Sequence, residues 1–196
     1  MRSIVINREF GSGGREVGRL VAEQAAVRFY DSRIIQDAAA ANGLSRDLLE
    51  RFDERVATNP FASLSMFSGV DSDTASLPYR MYSAIQEVVL AAARTAPAVF
   101  VGRCADKILA DAGIPFRSVF VYSTDLERKI ARAVELDGVS RKAAESYIAT
   151  MDRTRSRYQQ FFTDTTFGDY REYDMCLNSA RLSYADCAQV ILATVG

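Results

Sequence analysis

The chain has 196 residues, 48% of them hydrophobic, and its 24 lysines and arginines nearly balance its 25 aspartates and glutamates. This length and apolar content predict one well-buried domain over residues 1–196. The chain is too short for two domains of ordinary size. The net charge of −1 gives no overall basic field, so we expect no nucleic-acid partner and no attraction to anionic membranes. Any anion-binding site must therefore be local.

Two residue types narrow the chemistry further. Histidine is absent, which removes the usual general base, the usual partner of a nucleophilic serine or cysteine, and the commonest metal ligand. Cys104, Cys176 and Cys187 are odd in number and lack CxxC spacing, so they indicate neither a disulfide framework nor a zinc site. No apolar run reaches the roughly 20 residues of a membrane span, and the first residues lack a secretory pattern. We expect a cytoplasmic location, no membrane partner, and chemistry based on carboxylates, cations or a bound metal ion.

The first residues predict a strand, a glycine turn, a helix and a second strand. "SIVIN" at 3–7 has the apolar character of a short buried strand. Apolar residues then recur at helical spacing over 17–25, before the second strand, "VRFYD", at 27–31.

The next segments combine helices with a long irregular stretch. Ser45 is a candidate N-cap for a helix that continues to about Arg55. Residues 58–78 show no sustained period and contain much Ser, Asp, Gly and Pro. We interpret them as a mobile loop, either a lid with apolar anchors or an ordinary surface loop. A helix is predicted from about Tyr79 to Thr95.

The remainder of the chain alternates strands with helices. Apolar runs predict strands at 97–102 ("PAVFVG"), 116–122 ("FRSVFVY") and 173–178 ("YDMCLN"). Helices are predicted over 104–113, from Leu126, over 140–162 and from about Ser183, where "SYAD" resembles a capping box. This alternation is typical of a parallel sheet covered by helices on both faces, with ligands beyond the carboxyl ends of the strands.

The glycine-rich turn "INREFGSGGREVGRLVA", residues 6–22, is the strongest functional signal. Such a turn before a helix exposes backbone N–H groups at the positive end of a helix dipole, which is a common way to bind phosphate. Gly11-x-Gly13, with Asp31 about 20 residues on, also begins a dinucleotide fingerprint. Against that interpretation, the third glycine position holds Glu16, and three residues separate the strand from the first glycine.

A mononucleotide-binding loop fits the spacing better. Aligning Gly14-Arg15-Glu16 with the ending G-K-[ST] puts Arg15 at the lysine position and Glu16 at the hydroxyl that normally holds Mg²⁺. The pattern is therefore degenerate. A third interpretation is that the glycines serve only a tight strand-to-helix turn.

Six segments occur in order over nearly the whole chain: "NREFGSGGREVG", "FYDSRIIQDAA", "VGRCADKIL", "VFVYSTDLERKIARAVELDGVS", "DRTRSRYQQFFT" and "YDMCLNSARLSY". Together they resemble the cytidylate kinase-like family, a divergent branch of the P-loop nucleoside monophosphate kinases. The resemblance implies an α/β fold, a P-loop NTPase-type three-layer sandwich with a five-stranded parallel sheet. It also implies an acceptor site and an arginine-rich helical lid at about 140–165.

The implied activity is transfer of the γ-phosphate of ATP, with Mg²⁺, to a nucleoside monophosphate resembling CMP or to a similar small acceptor. Two alternatives remain open. The protein could be a nucleotide-binding or phosphate-binding regulator without catalysis, because the loop lacks its usual lysine and hydroxyl. It could also be a small-molecule kinase with a non-nucleotide acceptor.

Phosphoryl transfer needs alignment of the reactants and neutralisation of charge rather than covalent help. The residues expected to bind the ATP phosphates are Gly11, Ser12, Gly13, Gly14, Arg15 and Glu16. Arg15 would add positive charge and act in catalysis, although its planar group cannot occupy the niche of a lysine unchanged. Glu16 would either bind Mg²⁺ or pair with Arg15.

The predicted acceptor site lies after the second and third strands. Asp31 and Ser32 occupy the region that related kinases use to meet the acceptor, and Asp31 could orient a hydroxyl, hold Mg²⁺-bound water or cap a helix. Arg103 matches the family's Gly-Arg pair and is the predicted ligand of the acceptor phosphate. Cytidylate kinases proper have Gly-Arg-Asp, whereas this chain has Cys104, which leaves the acceptor base open.

The lid carries Arg153, Arg155 and Arg157 in "MDRTRSRYQQ". On a continuous helix Arg153 and Arg157 share a face, so these two are the predicted catalytic lid residues. Arg155 should point away from the face of Arg153 and Arg157. It should either have a structural role or contact the ligand only when the lid closes. A solvated helix face is the other interpretation of this run. Arg128 and Arg132, one turn apart, would line the adenine side or lie on the surface.

Overall fold

The computed structural model describes residues 1–41 and 72–195. Within these residues five strands and seven α-helices follow one another along the chain. The strands are β1 (Ser3–Arg8), β2 (Arg28–Tyr30), β3 (Ala98–Val101), β4 (Phe116–Tyr122) and β5 (Met175–Asn178). The helices are α1 (Gly14–Gln24), α2 (Ser32–Ala41), α3 (Ser72–Thr95), α4 (Ala105–Asp111), α5 (Leu126–Asp137), α6 (Arg141–Phe162) and α7 (Tyr184–Leu192), with a 3₁₀ turn at Tyr170–Glu172.

All five strands form one parallel sheet in the order β2-β3-β1-β4-β5. The central strand, β1, pairs with β3 on one side and with β4 on the other, so that Ile6 lies opposite Val101 and Arg8 lies opposite Val121. Because parallel strands end at the same edge, the segments after β1, β3 and β4 are neighbours. The five-stranded parallel sheet predicted from the sequence is confirmed.

Helices cover both faces of this sheet. Ile4 and Ile6 point to the face covered by α1 and α7, whereas Val5 points to the face covered by α3 and α4. All three side chains are at most 1% exposed, which explains why the strands are continuous apolar runs rather than alternating ones. A Cβ on Gly18 would lie 3.0 Å from Cγ2 of Val101, so this glycine lets α1 pack closely on the sheet.

Helices α5 and α6 form a hairpin that stands beside the sheet. Asp125 caps α5 by accepting a hydrogen bond from the Arg128 amide, and Gly138 ends that helix with a φ of 67°. Ile130 of α5 packs against Ile148 of α6 in a small apolar cluster that also includes Phe10. This packing brings α6 to the loop that follows β1.

Two helices differ from the sequence-based expectation. No helix range was predicted for the α2 segment "SRIIQDAAAA", although capping of a helix by Asp31 was one of the alternatives. The segment is rich in alanine, the strongest helix former, and Asp31 does cap it. Helix α3 begins at Ser72, so residues 72–78 are helical where a loop was predicted. Helix formation is cooperative, and the buried part of α3 from Met81 onward anchors a helix that extends further back. The predicted helix at 45–55 and the rest of the predicted loop lie outside the described residues.

None of the helices in the described ranges combines the length and apolarity that crossing a lipid bilayer requires.

Candidate active site

The glycine-rich loop runs from the end of β1 to the first turn of α1. Gly11 and Gly13 adopt left-handed φ angles of 74° and 81°, which glycine adopts without steric cost. A Cβ on Gly13 would overlap the ring of Tyr184, and one on Gly11 would lie 3.1 Å from Cβ of Lys129. Both glycines are therefore required by backbone conformation and by close approach of a neighbouring helix.

The loop presents a row of unused backbone donors. The amide and hydroxyl of Ser12 both donate to the carbonyl of Glu9, at 3.4 and 2.9 Å, and this side chain is fully buried. Ser12 therefore shapes the loop, and its role as an ATP ligand stays a prediction. No oxygen in the described part of the chain accepts from the N–H groups of Gly11, Gly13, Gly14, Arg15 and Glu16. These donors lie at a helix N-terminus, where phosphate binds readily.

Arg15 is held at the carboxyl end of β2. Its Nε donates to Oδ2 of Asp31 at 2.6 Å, although the Arg15 side chain remains 64% exposed. Oδ1 of Asp31 accepts from the Ile34 amide at 2.9 Å, so Asp31 also caps α2. Burial opposes ionisation of Asp31, but these hydrogen bonds and the Arg15 charge hold its pKa below the usual value. Asp31 is consequently a carboxylate at neutral pH.

Glu16 pairs with a different arginine from the one expected. It accepts a hydrogen bond from Nη2 of Arg132 on α5, so the predicted pairing with Arg15 is wrong. The Arg132 guanidinium lies 5.7 Å from the Tyr184 ring, and the Arg128 guanidinium lies 5.5 Å from the same ring. Arg128 also donates to the carbonyl and hydroxyl of Ser179. Both arginines therefore belong to one polar and aromatic cluster beside the loop.

Arg8 is a central residue that the sequence reasoning missed. Its Nη2 donates to Oγ of Ser32 at 3.3 Å, and its Nη1 fills the space that a Cβ on Gly102 would need. Arg8 is the last residue of β1, so its position at the carboxyl edge of the central strand was the available signal. It places a cation between the loop and the predicted acceptor region.

The turn between β3 and α4 has an unusual backbone. Gly102, Arg103 and Cys104 are three consecutive left-handed residues, with φ angles of 77°, 61° and 53°. Left-handed non-glycine residues cost about 1–3 kcal/mol each and cluster at functional sites. The strained turn directs Arg103 toward α6, where its guanidinium lies 5.5 Å from the Tyr158 ring.

The position of the family's Gly-Arg-Asp aspartate is filled by a buried thiol. Cys104 is 4% exposed, and burial raises its thiol pKa, so this cysteine is not a reactive thiolate. The nearest carboxylate in the sequence is Asp106, two residues later. Its Oδ2 accepts a hydrogen bond from Nδ2 of Asn7 at 2.7 Å. Burial raises the pKa of Asp106. Neither Asn7 nor Asp106 was singled out in the sequence.

Helix α6 faces the loop through residues that the charge pattern alone did not identify. Nη1 of Arg155 donates to the Arg8 carbonyl at 3.1 Å, and its guanidinium lies 5.5 Å from the Phe10 ring. Asp152, one turn earlier, accepts from the Phe10 amide at 2.6 Å. Arg155 therefore lies on a different face from Arg153 and Arg157, as the helical spacing predicts, and this face is the one that contacts the loop. Arg153 is exposed and donates to Oγ1 of Thr150 at 3.1 Å.

Packing explains this orientation. Ala144 and Ile148 bury one face of α6 against α5, and Asp152 and Arg155 continue the same face at steps of four and three residues. Arg153 and the exposed Arg157 do lie away from that face. Their proposed roles in the lid stay predictions.

Lys129 is a second buried cation that the sequence analysis overlooked. It is 7% exposed, and its Nζ lies 3.1 Å from Oε2 of Glu9 and 3.5 Å from Oδ2 of Asp152. Burial raises the pKa of Asp152, while the Phe10 amide and the charge of Lys129 oppose this shift. The triad joins the loop, α5 and α6, and it places an ammonium group beneath a loop that lacks the usual lysine.

A cavity of about 460 Å³ opens next to this triad. Its walls are mainly aromatic, with two carboxylates, and include Phe120, Tyr122, Phe167, Tyr170, Glu9 and Asp152. The volume lies within the range of small-molecule pockets, so the space beside the loop admits a planar ring.

The residues present fit phosphate better than they fit a free metal ion. Across residues 1–41 and 72–195 no three histidine, cysteine or acidic side chains form a group that could hold a metal. Mg²⁺ is commonly bound by one or two carboxylates together with substrate phosphates. The carboxylates near the loop are Glu9, Glu16, Asp31 and Asp152, and each is held by an arginine or by Lys129. A metal here would therefore take most of its ligands from phosphate oxygens.

The comparison with known families decides the relationship. The model of the cytidylate kinase-like family matches residues 3–181. The chain belongs to this family. No curated protein matches the sequence.

Solved structures share the fold over the whole chain. An uncharacterized protein from Eubacterium ventriosum is 25% identical with a TM-score of 0.70, covering 100% of this chain and 98% of its own. A gluconokinase from Sinorhizobium meliloti is 17% identical with a TM-score of 0.55, covering 98% and 93%. Shikimate kinase from Acinetobacter baumannii, in complex with shikimate, is 16% identical with a TM-score of 0.51, covering 100% and 93%. The cytidylate kinase-like chain therefore has the α/β fold of P-loop kinases.

Proposed function

We propose that this cytidylate kinase-like protein transfers the terminal phosphoryl group of ATP to a small phosphorylated acceptor, a nucleoside monophosphate such as CMP. The observation that carries the proposal is the set of unused N–H groups at the start of α1, those of Gly11, Gly13, Gly14, Arg15 and Glu16. Donors of this kind bind the phosphates of a nucleotide without any contribution from a lysine.

The donor and the acceptor approach the loop from opposite sides. The cluster of Arg128, Arg132 and Tyr184 lies next to Gly13, on the β4–β5 side of the sheet. It offers stacking and cationic groups to the donor nucleotide. Asp31, Ser32 and Arg103 follow β2 and β3 on the other side, where we place the acceptor.

The chemistry then requires alignment and charge stabilisation. An oxygen of the acceptor phosphate is already deprotonated at neutral pH, so its attack on the terminal phosphorus needs no general base. Arg15 leaves Asp31 and contacts oxygens of the transferred group as their charge grows. Arg153 and Arg157 would add charge only after α6 moves. Asp31 and Glu16 are the carboxylates that would hold Mg²⁺ bound with ATP, and the ion would supply charge neutralisation of the phosphate oxygens.

A second function is favoured by two ion pairs. Arg15 is held by Asp31, and Glu16 is held by Arg132, so both side chains that replace the usual lysine and hydroxyl are engaged. A chain locked in this state would bind a nucleotide without turnover. A nucleotide-dependent regulator is therefore the alternative to an enzyme.

The test uses purified full-length protein with ATP labelled in its terminal phosphate. Acceptors are CMP, UMP, AMP, GMP, cytidine and the hydroxy acids shikimate and gluconate, at several Mg²⁺ concentrations. We expect labelled product from at least one monophosphate and none from cytidine. Binding of ATP with no labelled product would favour the regulator, whereas product from a hydroxy acid alone would indicate a small-molecule kinase.

A further inference from the structure

The cavity of about 460 Å³ beside the loop has no part in the proposed phosphoryl transfer. Phe120 and Tyr122 of β4 and Cys176 of β5 line it. Val119 and Val121, which alternate with the two aromatic residues, belong to the core beneath α1 and α7. Because successive strand residues point to opposite faces, the cavity lies on the face of the sheet that is turned away from α1 and α7.

This position separates the cavity from both proposed substrate positions. On the donor side, Tyr184 begins α7 and packs on the core of the other face. On the acceptor side, Asp31 and Arg103 follow β2 and β3, whereas the cavity is lined by β4 and β5. The central strand β1 lies between these two halves of the sheet. A molecule in the cavity would therefore occupy a place of its own.

The walls of the cavity suit a flat ring. Phe167 packs edge-on against Phe120, with ring centroids 5.2 Å apart, and both rings line the space. Tyr170 lines it as well and is 74% exposed, so its ring can adjust to a ligand without disturbing the core. Aromatic side chains bind planar rings by stacking or by edge-to-face contact.

The charged groups on the walls are the carboxylates of Glu9 and Asp152, and none of the described residues that line the cavity is a cation. Oε2 of Glu9 accepts from Nζ of Lys129 and from the Ser123 amide, both at 3.1 Å. Within the described ranges nothing donates to Oε1 of Glu9, although each carboxylate oxygen can accept two hydrogen bonds. An N–H donor therefore suits this wall, whereas an anion would meet like charge.

We propose that the cavity is a third ligand site, which binds an unphosphorylated planar heterocycle that carries an amino group. The ring lies among Phe120, Tyr122 and Tyr170, and the amino group donates to Glu9. The proposal is independent of the proposed phosphoryl transfer, because none of the residues assigned to the donor or the acceptor lines the cavity.

Cys176 provides a local readout of occupancy. It is partly exposed, whereas Cys104 and Cys187 are buried, so a maleimide reagent should label Cys176 first. Burial raises the pKa of the Cys176 thiol, and labelling is therefore run in mildly alkaline buffer. The probes are adenine, purine, which lacks the amino group, and benzoate, a planar anion. Each is added to nucleotide-free protein and to protein saturated with Mg²⁺ and a non-hydrolysable ATP analogue.

We expect adenine to slow the labelling of Cys176 in both states and benzoate to have no effect. Purine should bind about tenfold more weakly than adenine, because it lacks the donor to Glu9. Tyr170→Ala should weaken adenine binding by at least about fivefold through lost stacking. The matched control is Tyr79→Ala, which removes a tyrosine that is 61% exposed and does not line the cavity. Calorimetric titration of adenine gives the same affinities without the label.

No adenine binding to wild type, or equal binding to Tyr170→Ala and wild type, would overturn the proposal. Equal binding of purine or benzoate would overturn the assigned ligand class. Protection of Cys176 by the ATP analogue, or by CMP added to the loaded protein, would show that a substrate base fills the cavity and would overturn a third site. Failure of the analogue to bind would contradict the proposed function instead, and the nucleotide-free protein would still decide whether adenine occupies the cavity.

Discussion

Nη1 of Arg155 donates a hydrogen bond to the carbonyl oxygen of Arg8 at 3.1 Å, which joins α6 to the end of the central strand. Asp152, one turn earlier, accepts from the amide of Phe10 at 2.6 Å. Two contacts thus join α6 to the loop. Movement of α6 must therefore change the loop or break these hydrogen bonds.

Replacing Arg155 tests this connection. Arg155→Gln removes a cation whose side chain is 23% exposed and which donates to the carbonyl of Arg8, the last residue of β1. We expect kcat/KM for phosphoryl transfer to fall by about 10- to 100-fold, as for loss of a charged hydrogen bond. Lys142→Gln, at the exposed first turn of the same helix, should change it by less than about twofold. Equal losses in the two variants would show that the orientation of α6 does not matter for the reaction.

The close approach of Tyr184 to Gly13 gives a prediction for nucleotide binding. Gly13→Ala would place a Cβ in the Tyr184 ring and would also strain a φ of 81°. We expect the affinity for ATP to fall by at least about tenfold. The loop must shift to avoid the Tyr184 ring, and this shift moves its N–H donors out of hydrogen-bonding distance of the phosphates. Gly138→Ala is the control, since its φ is 67° and no heavy atom lies within 4 Å of the added Cβ.

Gly138→Ala should lower stability, by about 1 kcal/mol, and leave ATP binding unchanged. Calorimetric titration with ATP and urea unfolding measure the two effects separately. A Gly13→Ala protein that binds ATP as tightly as wild type would mean that the loop in solution does not approach Tyr184.

Asp174 makes a pH-dependent contribution to the sheet. Its Oδ2 accepts from the Ser118 amide at 2.8 Å, and its Oδ1 accepts from Arg117 at 3.1 Å. Burial opposes ionisation of Asp174, but these donors hold its pKa below the usual value. Its stabilisation is therefore complete above the unfolded pKa of about 4 and is lost as the pH falls through the lower folded pKa.

We expect Asp174→Asn to lower the free energy of unfolding by about 1 kcal/mol at pH 7, a value reduced for solvent screening because the side chain is 39% exposed. The difference from wild type should shrink from about pH 5 to pH 3. Urea unfolding across this range measures it. Asp111→Asn, which removes an exposed partner of Lys107, should have a smaller effect. A difference for Asp174→Asn that grows toward low pH would reverse the assigned sign.

The sequence predicted the sheet well because its signal is local. Residues 4–6 of β1 and all four residues of β3 are apolar, as is typical of strands buried on both faces. The residues joined at the site were harder to predict. Contacts with distant segments bring Arg8, Lys129 and Asp106 to the site, and these contacts leave no local pattern in the sequence. Lys129 and Glu9, for example, are 120 positions apart. Charge spacing could not show that Arg155, rather than Arg153 or Arg157, contacts the loop, because the packing of Ile148 on α5 decides which face of the helix meets the loop.

Arg15 provides the most direct test of phosphoryl transfer at this loop. The measurement compares kcat for transfer of labelled phosphate from ATP, and the affinity for ATP, in wild type, Arg15→Ala and Arg15→Lys. We predict that Arg15→Ala lowers kcat by at least about 100-fold, equivalent to about 2.7 kcal/mol of transition-state stabilisation. The ATP affinity should stay within about threefold, because the amides still hold the phosphates, and Arg15→Lys should restore kcat only in part. Unchanged turnover in Arg15→Ala, or wild type that binds ATP and phosphorylates no acceptor, would contradict the account.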